Sequence, residues 1–68
     1  MCEIGPICRE WRISRGITQA YISRKAHMSR AQVCRFEKGE VRSNLLLFTY
    51  IQCGFPVTLE SLIRYLGG

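Results

Sequence analysis

Between Ser29 and Lys38 the chain reads SRAQVCRFEK, and its side chains sort into two sets. At helical spacing Arg30, Cys34 and Lys38 form one row, and Ala31 and Arg35 form the row beside it. Val33 and Phe36 fall on the other side as anchors to a core. Two guanidiniums on one short helix suit a polyanion. An arginine fork also fits guanine O6 and N7 in a bidentate manner, worth about 1–3 kcal/mol of discrimination per good contact. Ala31 could meet a thymine methyl group. The sequence shows no Ser-His-Asp set, no paired carboxylates of catalytic type and no Gly-rich phosphate loop, so no enzymatic activity is expected.

The elements that must hold this row are short helices. Ser29 with Gln32 three residues on has the form of a capping box, and Met28 with Val33 forms a hydrophobic staple around it. Thr18 is the preceding N-cap, stapled by Ile17 and Ile22, and opens a helix over Gln19 to Lys25. Only Ala26-His27-Met28 separates the two, which is the geometry of a helix, a tight turn and a second helix. Upstream, Pro6 suits a first helical turn, and a first helix over about Gly5 to Arg15 ends at Gly16. Downstream, Gly39 ends the third helix. Asn44 caps a fourth, apolar nearly all round, that runs to Cys53 and closes at Gly54. Thr58 caps a fifth with Leu59, Leu62, Ile63 and Leu66 along one face. No stretch alternates with a period of two. The expectation is one all-α domain over residues 1–68, a compact bundle of five short helices.

Charge is divided along the chain. Residues 1–42 hold nine of the ten Lys and Arg and four of the five acids, which accounts for the whole net charge of +5. Residues 43–68 carry only Glu60 and Arg64. A basic surface joined to a neutral, apolar one suggests a polyanion-facing side and a packing or pairing side. The longest apolar run, Leu45 to Phe48, is far too short to span a bilayer, and the N-terminus lacks the form of a signal peptide. The expected location is cytoplasmic. Cysteines stand at positions 2, 8, 34 and 53 with no C-x-x-C pair and one histidine, His27, so no metal or cofactor is expected. Reduced thiols are expected, with Cys34 the one pointing outward; a small disulfide-bonded secreted peptide is the competing class.

The ordered set Arg12-x-x-Arg15-Gly16-Ile17-Thr18-Gln19, then Ser29-Arg30-x-x-Val33-x-x-Phe36-Glu37-x-Gly39, resembles the lambda-repressor/Cro-like helix-turn-helix family, also called the xenobiotic-response-element family. The likeness extends over about residues 4–66. It implies a lambda-repressor-like DNA-binding domain whose third helix reads double-stranded DNA. Arg30, Ala31, Cys34 and Arg35 would meet base edges, and Gln19, Ser29, Lys38 and Arg42 would lie at phosphates. Arg12 and Glu37 match a buried ion pair. His27 stands where the family often has Gly, Ala20 and Tyr21 replace acids common early in the second helix, and the connector before the fourth helix is slightly short. Phe55, Leu62, Tyr65 and Leu66 exceed what so small a core should bury and are expected to form a homodimer contact. The alternatives are an antitoxin whose C-terminal helices bind a toxin or another regulator, and a helix-turn-helix turned protein-interaction module. Titration of the native, unreduced protein with a thiol reagent should count four free thiols; a count of zero would assign the chain to the secreted disulfide class.

Overall fold

The computed structural model describes residues 4–67, which form five helices and no strand. These are α1 (Ile4–Ser14), α2 (Gln19–Ala26), α3 (Arg30–Glu37), α4 (Asn44–Gln52) and α5 (Leu59–Gly67). The radius of gyration is 10.8 Å, close to the roughly 11 Å expected of a compact chain of this length. The expected compact, all-helical bundle is therefore observed. No helix is long and apolar enough to cross a membrane, among the described residues. Position 2, one of the four cysteines, lies outside the described residues.

Local chemistry sets most helix starts. The Thr18 hydroxyl accepts the Tyr21 N–H at 3.1 Å. Ser29 and Gln32 exchange both bonds of the capping box, each at 3.2 Å. The Thr58 hydroxyl accepts the Ser61 N–H at 3.1 Å. Between α2 and α3, His27 adopts φ 57°, ψ 43°, a left-handed conformation that reverses the chain in one residue. At the start of α4 the expected cap is corrected. Ser43, not Asn44, is the N-cap, with its hydroxyl accepting the Leu46 N–H at 3.2 Å. Asn44 is already helical, and α4 ends at Gln52 with Cys53 as C-cap. The first helix likewise sits one residue earlier than expected at each end, and Gly16 follows it at φ 71°.

The core is built from Cys8, Ile22, Ala26, Val33, Phe36, Leu46, Leu47 and Tyr50, joined by Phe55 and Tyr65. The Phe36 and Tyr50 rings stack at 5.8 Å, and Phe55 meets Trp11 edge-on at 5.5 Å. Helix α4 has its inner side in this core through Leu46, Leu47, Thr49 and Tyr50, while Leu45 and Phe48 face out. The expected pairing set is therefore corrected in part. Phe55 and Tyr65 are 6% and 8% exposed and serve the core, whereas Leu66 is exposed and Leu62 half-buried. The apolar face of α5 that stays exposed consists of Leu59, Ile63 and Leu66.

One glycine is fixed by packing alone. Helices α1 and α3 approach so closely at Gly5 that a Cβ there would lie 1.8 Å from the Phe36 carbonyl oxygen. The obstacle is backbone, so it cannot rotate away. Gly5→Ala should drive α1 off α3 and destabilise the protein by about 1–3 kcal/mol, the usual range for an overpacked site, measured as a lower urea midpoint.

Candidate nucleic-acid interface

The basic row is presented by a helix of only eight residues, and its orientation is set by what lies beneath it. Val33, Phe36 and Glu37 are buried. Arg30, Ala31, Arg35 and Lys38 are exposed, and Cys34 is half-buried between them rather than fully outward. Among the described residues none of Arg30, Arg35 and Lys38 forms an ion pair. Three uncompensated cations thus stand together on one exposed helix face and the residue that caps it.

Glu37 holds that helix in place. Its carboxylate is 2% exposed and receives four hydrogen bonds. Arg12 of α1 donates from Nε to Oε2 at 2.7 Å and from Nη2 to Oε1 at 3.1 Å. Gln19 of α2 donates from Nε2 to Oε1 at 3.0 Å, and the Tyr50 hydroxyl of α4 donates to Oε2. Arg12 also donates from Nη1 to the Ile17 carbonyl at 2.8 Å, tying in the turn before α2. The acid at the last turn of α3 therefore binds α1, α2 and α4 at once. Burial alone would raise the Glu37 pKa, but the bonds from Arg12, Tyr50 and Gln19 outweigh it and hold the carboxyl below its ordinary value. Burial and the bond to Glu37 push the Tyr50 phenol well up, so it remains a donor.

The other expected contact residues are differently placed. Gln19 is half-buried and directs its amide to Glu37, so it braces α3. Ser29 is exposed at the start of α3, with its N–H and hydroxyl engaged by Gln32. Arg42 lies in the α3–α4 connector, where Nη2 donates to the Tyr65 carbonyl and the guanidinium stands 4.8 Å from the Tyr65 ring centroid. The expected Arg12–Glu37 pair is present. The parts of Tyr50 and Tyr65 were not foreseen; each is a hydroxyl on a core-facing position, and spacing alone does not say what such a hydroxyl will meet.

A separate open hollow of about 520 Å³ lies on the far flank of α2, lined by Ile17, Tyr21, Arg24, Lys25 and Cys53 among others. No group of three or more His, Cys, Asp or Glu side chains is placed to hold a metal, among the described residues. Comparison of the chain with known protein families, with curated proteins and with solved structures finds no match.

The buried pair makes stability depend on pH with a definite sign. A carboxyl whose folded pKa lies below its unfolded value stabilises the fold above the unfolded value, near 4.5, and that contribution is lost as pH falls through the folded one. The melting temperature of the wild type should therefore fall steeply below about pH 4.5. Glu37→Gln should strand Arg12, cost about 3–5 kcal/mol at neutral pH, and flatten that acid limb. An unchanged acid limb in the variant would assign the pH dependence to other groups.

Proposed function

We infer that the chain is a sequence-specific double-stranded DNA-binding transcriptional regulator of the helix-turn-helix type, a repressor that acts as a dimer. Helix α2, the turn at His27 and α3 form the helix-turn-helix in this reading, with α3 entering the major groove by its N-terminal end. Bound at an operator, the protein would exclude polymerase sterically. We place it in the cytoplasm and assign it no catalysis.

The observation that carries this reading is Arg30. It is the first residue of α3, and no acid stands in that first turn. A helix N-terminus carries partial positive charge, and a cation there weakens the helix by about 0.3–1 kcal/mol where an acid would strengthen it. Arg30 is exposed and, among the described residues, without an ion pair, so its position serves neither the helix nor the core. It places positive charge where exposed N–H groups already favour an anion, and Arg35 in the last turn and Lys38 at the C-cap extend that positive face to the other end of α3. Arg30 and Arg35, with Ala31 and half-buried Cys34, are the residues we place at base edges. Lys38 and the start of α3 at Ser29 lie at the phosphates, and Gln19 reaches them only through the helix it braces.

The exposed stripe of Leu59, Ile63 and Leu66 on α5 supports pairing with a second copy. Glu60 and Arg64 stand beside it, four residues apart and joined at 3.2 Å. In an antiparallel pair of α5 helices, Leu59 of one copy would face Leu66 of the other, and Glu60 would face Arg64. The same stripe suits a protein partner of another kind, which keeps an antitoxin whose C-terminal helices bind a toxin, or a protein-interaction module, as the second reading.

Selection from a random duplex library across a salt series tests the proposal. Affinity should fall linearly with log salt, with a slope of about −0.9 for each phosphate neutralised. The selected pool should contain a two-fold-symmetric motif with half-sites about 34 Å apart. Arg30→Glu separates function from fold: it should leave stability unchanged or raise it by about 0.3–1 kcal/mol while abolishing binding. Salt-dependent binding without an enriched motif would refute sequence specificity. A folded protein that binds no duplex at low salt would refute the DNA reading and favour the protein partner.

A further inference from the structure

Two consecutive residues of the α3–α4 connector meet a single side chain of α5. Tyr65 is the one residue of α5 that is buried, among those described. The Ser43 backbone N–H donates to the Tyr65 hydroxyl at 2.8 Å, and Ser43 is also the N-cap of α4. The Arg42 guanidinium lies over the Tyr65 ring at 4.8 Å and donates from Nη2 to the Tyr65 carbonyl. That carbonyl is in the last turn of α5, where carbonyls lack partners within the helix and the dipole is negative. Arg42 is thus held by a ring face, a carbonyl and a helix end. Among the described residues, α5 packs less closely than the helix pairs α1 and α3, α2 and α3, and α2 and α4, and this contact, with Leu62 against the core, attaches it.

We propose that the Arg42–Tyr65 contact is an autoinhibitory strap: docked α5 keeps Arg42 from nucleic-acid phosphates, and undocking releases it. The inference rests on the reading of α3 as a DNA-recognition helix, because the connector continues directly from Lys38 at its end. Although Arg42 is exposed, its guanidinium must leave the ring face and the carbonyl to turn its full fork to a phosphate. Phosphate contacts add affinity for every sequence alike. Withholding one cation therefore lowers non-specific binding while Arg30 and Arg35 keep their access to bases. A partner on the outer stripe of α5 steadies the docked helix and keeps the strap closed.

The test is the salt dependence of binding to one fixed duplex, measured by fluorescence anisotropy for the wild type and three variants. Arg42→Gln should leave the wild-type slope unchanged, since Arg42 is not at a phosphate. Tyr65→Leu should release Arg42 and steepen the slope by about 0.9, and adding Arg42→Gln to it should restore the wild-type value. Arg42→Lys keeps the charge, removes no core side chain and grips Tyr65 less well, so it should steepen the slope even if Tyr65→Leu fails to fold. A flatter slope for Arg42→Gln, or equal slopes for Arg42→Lys and Arg42→Gln, would overturn the inference. If the wild type binds no duplex, the recognition reading and the autoinhibition fall together. Hydrogen exchange then judges the strap by itself: Arg42→Gln should speed exchange of the α5 amides, and unchanged rates would show that no strap exists.

Discussion

Glu37 must remain ionised inside a small core, and much of the structure follows from that constraint. A buried carboxylate is tolerated only when its lone pairs are filled. Filling them here takes Arg12 from α1, Gln19 from α2 and Tyr50 from α4. Each donor is drawn to one point, so the last turn of α3 is fixed relative to three other helices. A core of ten buried apolar side chains could be repacked in several ways. Four directed hydrogen bonds to one residue admit far fewer, because an incomplete set leaves a buried charge exposed to its full desolvation penalty.

The same arrangement explains how an eight-residue helix can present charge. An isolated helix of that length does not persist in water. α3 persists because its N-terminus is closed by the Ser29–Gln32 box, its middle by Val33 and Phe36, and its end by Glu37. All the anchoring lies on one side, which leaves Arg30, Arg35 and Lys38 without an ion pair among the described residues. Stability and surface charge are thus divided between opposite faces of one helix. A contact made on the charged face need not alter the packed one.

The second half of the molecule divides differently. Helix α5 sends Tyr65 inward to the connector and leaves Leu59, Ile63 and Leu66 outside. Its strongly amphipathic sequence has too little body to cover it, as expected of so short a chain. The attachment of α5 through Arg42 and Ser43 puts its inner side against the segment that leaves α3, so its two sides face different tasks.

Much of this was legible in the residues themselves. The helices, the caps at Thr18, Ser29 and Thr58, and the left-handed turn at His27 depend on interactions within a few positions, which spacing and residue type determine. The outward row of α3 and the Arg12–Glu37 pair were also anticipated, the second through a family resemblance rather than through spacing. Neighbouring cap candidates such as Ser43 and Asn44 differ too little for sequence to choose between them, and the docking of Tyr65 against Ser43 accompanies the actual choice. Phe55 and Tyr65 looked surplus because hydrophobicity states how much a side chain gains from burial, not whether there is room for it. Three-dimensional packing supplied that room, beside Trp11 for one and under the connector for the other. The closeness of Gly5 to Phe36 and the turning of Arg42 to α5 belong to the same class. Both join positions more than twenty residues apart, and only the folded chain brings such positions within contact range.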